Sequence, residues 1–197
     1  MIIGVTGDIG TGKSTVAKFL KEFSKGEIIN VDKLGWEILE KKKAKLIDTF
    51  GEKIITRGKI DRKKLGKIVF NDKNKLQLLN SIIHPLLVKE LKNRILKIPD
   101  DILKIVDCAL VYQWEIEEWF DRLIVVTSSY ESRQKRTKRL KYNKEIIDNI
   151  MKSQIVNYGQ DKCDKLVDII IENNSSLSAL RAKVKKVWVS LLLAIGQ

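Results

Sequence analysis

The chain has 197 residues, 44% of them hydrophobic and 32% charged, which is the composition of one globular domain able to bury its own core. With only 2 prolines and 2 cysteines, it is neither a low-complexity chain nor a disulfide scaffold. Its formal net charge of +13 points to polyanionic partners such as nucleotides, phosphorylated substrates or nucleic acid, or else to lysines that simply solvate helices.

The elements follow in chain order. "IIGVT" (Ile2–Thr6) reads as a buried strand. A helix from Ser14 to about Phe23 carries Val16, Phe19, Leu20 and Phe23 on one stripe. Glu27–Val31 is a second strand, and Asp32 opens one helix that runs through to Phe50. A short hairpin turns at Arg57–Gly58. Two helical stretches follow, and a further helix restarts after Pro85. Leu103–Cys108 and Leu123–Thr127 are the third and fourth strands. Helices are expected over Tyr130–Leu140 and Asn143–Tyr158, then a fifth strand in "LVDIIIENN" and a last helix from Ser176. Strands alternating with helices predict an α/β fold with a doubly wound parallel sheet. The long helical stretch between the second and third strands predicts an inserted helical lobe.

No stretch predicts a membrane span: "WVSLLLAI", the most apolar, is far short of the ~20 residues needed. The N-terminus lacks the basic region and long apolar run of a secretory signal. Cys108 and Cys163 fit no metal pattern, and a reducing cytoplasm is expected. Aromatic residues do not interleave with the basic ones as a nucleic-acid stacking platform would require.

The chemistry begins at Gly7-Asp8-Ile9-Gly10-Thr11-Gly12-Lys13-Ser14, which fits G-x-x-x-x-G-K-[ST] between a strand and a helix. The glycines let backbone N–H groups turn inward on anionic oxygens, and the helix adds its positive end. Lys13 reaches the outer phosphates and the Ser14 hydroxyl ligates Mg²⁺. Neither a guanine-reading N-K-x-D motif nor a strand followed by a D-E pair is present, which favours phosphoryl transfer to a small acceptor over a GTPase or a hydrolysing motor. Asp32, at the end of the second strand, is placed to take a hydroxyl proton or hold the metal, or to cap the following helix. The basic run "ESRQKRTKRLK" is either a solvated helix face or a lid that brings arginines over the phosphates.

Together these motifs resemble the dephospho-coenzyme A kinase family over about residues 2–187. The loop, "INVDKLGWEIL", the "FGEKIITRGKIDRKKLGKIVF" run, "LLNSIIHPLL", "IMKSQ" and "VDIIIENNS" all have counterparts there. The resemblance implies a P-loop three-layer fold with a five-stranded parallel sheet: a core over about 1–50, 101–128 and 160–197, an acceptor-binding helical insert over about 55–100 and a lid over about 130–158. It implies ATP and Mg²⁺ as cofactors and dephospho-coenzyme A as acceptor, in the cytoplasm, with the chain a monomer or small homo-oligomer and no nucleic-acid or membrane partner. Gly10, Thr11, Gly12, Lys13, Ser14 and Thr15 would bind ATP, and Asn173 its adenine. Asp32, Lys13, Arg136 and Arg139 would be catalytic, with Asp32 the base, and Arg62 and His84 would place the acceptor. Asp8 stands where the family has a glycine, Asn30 where it has an aspartate and Gln113 where it has a glutamate. The open alternatives are another small-metabolite or nucleoside kinase and a non-catalytic nucleotide- or nucleic-acid-binding module.

Overall fold

A computed structural model describes residues 1–138, Ile147 and 169–195. Its centre is a five-stranded sheet of β1 (Ile2–Thr6), β2 (Glu27–Asn30), β5 (Lys104–Asp107), β6 (Arg122–Thr127) and β7 (Ile169–Glu172), in the order β2-β5-β1-β6-β7. Every neighbouring pair is parallel. The three inner strands are apolar almost throughout because both faces of a parallel sheet are covered. On one face, Ile3, Val5, Ile105, Ile124 and Val126 pack against α1 (Lys13–Ser24) and the C-terminal helix (Leu177–Ile195). On the other, Val106 and Leu123 share one apolar cluster with α2 (Val31–Lys41), α3 (Lys43–Phe50), α4 (Arg62–Val69) and α5 (Lys73–Lys97). The period-two alternation along β5, Ile105 to one side and Val106 to the other, assigns each helix its face. Each fully buried aliphatic side chain here contributes about 1.5–3 kcal/mol.

Two expectations about the helical segment are corrected. The single helix expected from Asp32 to Phe50 is two, broken at Lys42, whose φ of −101° and ψ of 15° are not helical. The chain carries only charge over Glu40–Lys43, and the turn there lets Leu46 and Phe50 bury beside Ile54 and Ile60. Conversely, α5 does not restart at Pro85 but runs through it. Ile83, Leu87, Leu91 and Ile95 form one buried stripe spanning the proline, and that packing outweighs the hydrogen bond proline cannot donate. The hairpin stands where expected: β3 (Ile55–Thr56) and β4 (Lys59–Ile60) join through Arg57 and Gly58, both with positive φ. The basic run begins in α6 (Tyr130–Thr137), capped by Ser129, and its last three residues, 139–141, lie outside the described residues. Of the helix expected over Asn143–Tyr158 only Ile147 is described, and Arg139, Gln154, Cys163 and Asp168 lie outside the described residues. No helix among the described residues is long and apolar enough to cross a membrane.

Candidate active site

Parallel strands end on one edge, and register aligns Val5 of β1 and Asn30 of β2 with Asp107 of β5. The segments leaving these strands therefore emerge side by side. From β1 comes the glycine loop. Gly7 and Gly12 have φ of 138° and 100°; a Cβ at Gly7 would strike the Val126 carbonyl oxygen, and one at Gly12 the Asn173 amide. Helix α1 starts within the loop, with the Thr15 N–H donating to the Gly12 carbonyl at 2.9 Å. The Lys13 ammonium and the Thr11 hydroxyl both donate to the Asp8 carbonyl at 2.9 Å.

Behind the loop stands a group of charges. Burial pushes the Lys13 ammonium below its usual pKa, against the opposing pull of Asp107, Asp32 and Asp8. Burial also pushes the Asp107 carboxyl up, while hydrogen bonds from Ser14 and Asn30 and the charge of Lys13 act the other way. Asn30 does two jobs: its Oδ1 accepts from the Lys33 N–H at 2.7 Å, capping α2, and its Nδ2 donates to Asp107 at 2.8 Å. An aspartate at this position could cap but could not donate. Asn30 rather than Asp32 is thus the cap of α2, which corrects one reading of Asp32; Asp32 lies exposed in the helix's first turn.

Helix α6 docks on the outer side of the loop. Arg133 Nε donates to the Ile9 carbonyl at 3.0 Å and Nη1 pairs with the Asp8 carboxylate at 3.0 Å. Arg136 reaches the Gly10 carbonyl at 3.3 Å, Ser128 Oγ at 2.9 Å and the Asn173 carbonyl at 2.8 Å. The Asn173 side chain does not stand free to read a base: it is 5% exposed and its Nδ2 donates to the Thr11 carbonyl at 2.7 Å, bracing the loop.

On the inner side, Lys13 and Asp32 form one wall of a cavity of about 590 Å³ that continues along α2 and α5 to Trp36, His84, Gln113 and Trp114. His84 meets the Trp114 ring edge-on at 5.3 Å, and burial lowers its pKa from the ordinary 6.5. Arg62 lies beside this cavity, outside its lining, with its guanidinium 3.7 Å from the centre of the Trp36 ring.

The structure thus gathers Gly10, Thr11, Gly12, Lys13, Ser14, Thr15, Asp32 and Arg136 at one edge and sets His84 deeper in the cavity. Sequence reasoning passed over Asp107, Arg133 and the two tryptophans. The signal for Asp107 was present: an apolar strand, "KIVD", that ends in a carboxylate, although Cys108 follows it where a motor would carry glutamate.

A glycine loop between strand and helix, a carboxylate on the adjacent strand and a cavity opening onto the loop's lysine define a P-loop kinase. Comparison with known proteins agrees. The family model for dephospho-CoA kinase matches residues 1–179. A dephospho-CoA kinase of Fusobacterium nucleatum is 43% identical over 94% of this chain and 96% of its own. The solved dephospho-CoA kinase of Campylobacter jejuni superposes with a TM-score of 0.63 at 27% identity, covering 94% of each chain. A shikimate kinase of Acinetobacter baumannii, 16% identical with a TM-score of 0.57 over 98% of this chain and 93% of its own, shares the fold. The chain belongs to the dephospho-CoA kinase family.

Proposed function

We propose that this protein transfers the γ-phosphoryl group of ATP to the ribose 3′-hydroxyl of dephospho-coenzyme A, giving coenzyme A and ADP in the cytoplasm, with no nucleic-acid or membrane partner. The supporting observation is that Lys13 belongs to two sites at once, the phosphate loop and the wall of the cavity of about 590 Å³, with Asp32 beside it on that wall. A donor phosphate held by the loop and an acceptor held in the cavity would meet between them. The Ser14 hydroxyl and the Asp107 carboxylate are hard oxygen donors suited to Mg²⁺, which supplies charge neutralisation on the phosphates. Among the described residues no group of three or more His, Cys, Asp or Glu forms a closed metal cage, as suits an ion that shares its shell with nucleotide and water.

In this reading Lys13 follows the charge of the transferred group, and Asp32 takes the hydroxyl proton as the new P–O bond forms and ADP departs. Arg136, held by a hydroxyl and carbonyls on the edge of the loop, would bring its charge to the phosphates. Arg139 would join it as the lid over about 130–158 closes. His84 lines the acceptor cavity, and Arg62 holds the Trp36 wall in place and offers its exposed edge to an acceptor phosphate.

The test is a coupled assay with ATP, Mg²⁺ and a panel of acceptors. Dephospho-coenzyme A is expected to be the preferred one; preference for a nucleoside monophosphate, or nucleic-acid binding with no product, would overturn the assignment. Asp32→Asn is expected to keep ATP affinity and lose turnover by about 10²–10⁴-fold, the range of a general base. Near-normal turnover would remove Asp32 from that role.

A further inference from the structure

Within the loop, Asp8 is the residue that phosphate binding does not explain. It stands where the family pattern has glycine, and it puts a carboxylate beside a site built for a polyanion. Its partner is Arg133, with Nη1 at 3.0 Å and side-chain exposures of 11% for Arg133 and 12% for Asp8. The same guanidinium donates through Nε to the Ile9 carbonyl at 3.0 Å. Arg133 thus grips two consecutive loop residues, one by charge and one by backbone. Its Nη2 is buried with no hydrogen-bond partner among the described residues. Such an incompletely satisfied buried pair contributes little net stability, because desolvation offsets the attraction. What it does provide is position. One helical turn on, Arg136 reaches the Gly10 carbonyl, and the Thr137 methyl lies against Gly10 where a Cβ would be 2.9 Å away.

We propose that Asp8 and Arg133 are positioning residues: their ion pair fixes the register of α6 on the phosphate loop and thereby aims Arg136 at the nucleotide phosphates. The two arginines then divide the work. Arg133 is neutralised by Asp8 and holds the helix, while Arg136 keeps its charge for the ligand. Asp8 also cancels the extra cation that holding the helix requires, so the loop's charge toward ATP is unchanged by the pair.

This rests on the proposed binding of ATP by the loop, and the experiment keeps the two apart. Affinity for MgATP is measured by titration calorimetry with no acceptor present, for the unsubstituted protein, Asp8→Asn, Arg133→Gln and Arg136→Ala, and for each of the first two substitutions combined with the third. A protein that binds MgATP yet gives no product with dephospho-coenzyme A would refute the acceptor assignment and leave this test readable. Simple electrostatics predicts opposite signs: Asp8→Asn binds tighter because an anion is gone, and Arg133→Gln weaker. Positioning predicts that both weaken binding by about tenfold, the effect of losing one charge-assisted contact. It also predicts that neither costs anything further once Arg136 is alanine, since the pair acts through Arg136. Arg133→Lys, which keeps the ion pair, is expected to recover most of the loss and guards against a general folding defect. Tighter binding by Asp8→Asn, or a full additional loss in the Arg136→Ala background, would overturn the proposal.

Discussion

The two sides of Lys13 are built from different materials. Toward the loop, side chains are held by directional polar contacts: Asn173 on Thr11, Arg133 on Asp8 and Ile9, Asn30 on Asp107. Toward α2 and α5, the wall is made largely of rings and aliphatic chains, with His84 meeting Trp114 edge-on and the Arg62 guanidinium lying over the Trp36 ring. The contrast follows from what each side is proposed to hold. Phosphates are compact and charged, so they are recognised by fixed dipoles, and an error in direction is felt in nucleotide affinity and in the rate. A large acceptor with apolar length is recognised by shape and area, and an error is felt in its affinity.

The sharpest attempt to break this comparison is Asp107→Asn, because the side chain is nearly isosteric and only charge changes. Turnover is expected to fall by about 10²-fold, as for loss of one preorganised electrostatic group. Burial raises the pKa of Asp107, so activity of the unsubstituted protein should decline as pH falls through that raised value and the carboxylate protonates; the variant should lack this limb. The stability sign is opposite. A carboxyl with a raised folded-state pKa contributes stability below its unfolded pKa and loses it as pH rises through the folded value. Asp107→Asn should therefore melt no lower than the unsubstituted protein at neutral pH. A lower Tm would make the carboxylate a structural group and erase the distinction between the two sides.

How much of this was legible in the sequence depends on how local the cause is. The loop could be read from Gly7 to Ser14 because its geometry is set within eight consecutive residues. The hairpin at Arg57–Gly58 was legible for the same reason. Asp107 was not singled out, because its role depends on β5 lying between β1 and β2, and strand order is not written in any one segment. The Asp8–Arg133 pair spans most of the chain and needs α6 docked before either residue has meaning. Pro85 shows the opposite case: the local rule that proline suits the first turn of a helix is overridden by the buried stripe of α5.

On the apolar side, Trp36→Ala should act on binding rather than rate. The ring is half-buried in the cavity wall and backed by the Arg62 guanidinium at 3.7 Å. Removing it is expected to raise the acceptor KM by about tenfold, with kcat and the KM for ATP within about threefold. A drop in kcat with KM unchanged would mean that the cavity wall aims the acceptor rather than merely holding it.

The smallest effect is expected at Pro85, and there fold and site pull in opposite directions. The residue is exposed on the outer face of α5, so alanine there removes no packing. Proline cannot donate to the Ser81 carbonyl, and its ring crowds that turn, so Pro85→Ala should stabilise the helix. A net gain of about 1 kcal/mol would raise Tm by about 2–4 °C in a chain of this size. Yet a missing hydrogen bond on the solvent side lets a helix curve around the core, and here the inner side carries Ile83, His84 and Leu87 into the cavity wall. Loss of any bend that the proline imposes on α5 should shift those three together and raise the acceptor KM by about threefold, while leaving the loop and the KM for ATP untouched. A higher Tm with an unchanged acceptor KM would show that packing on α2 alone sets the course of α5, leaving the proline without a part in the cavity.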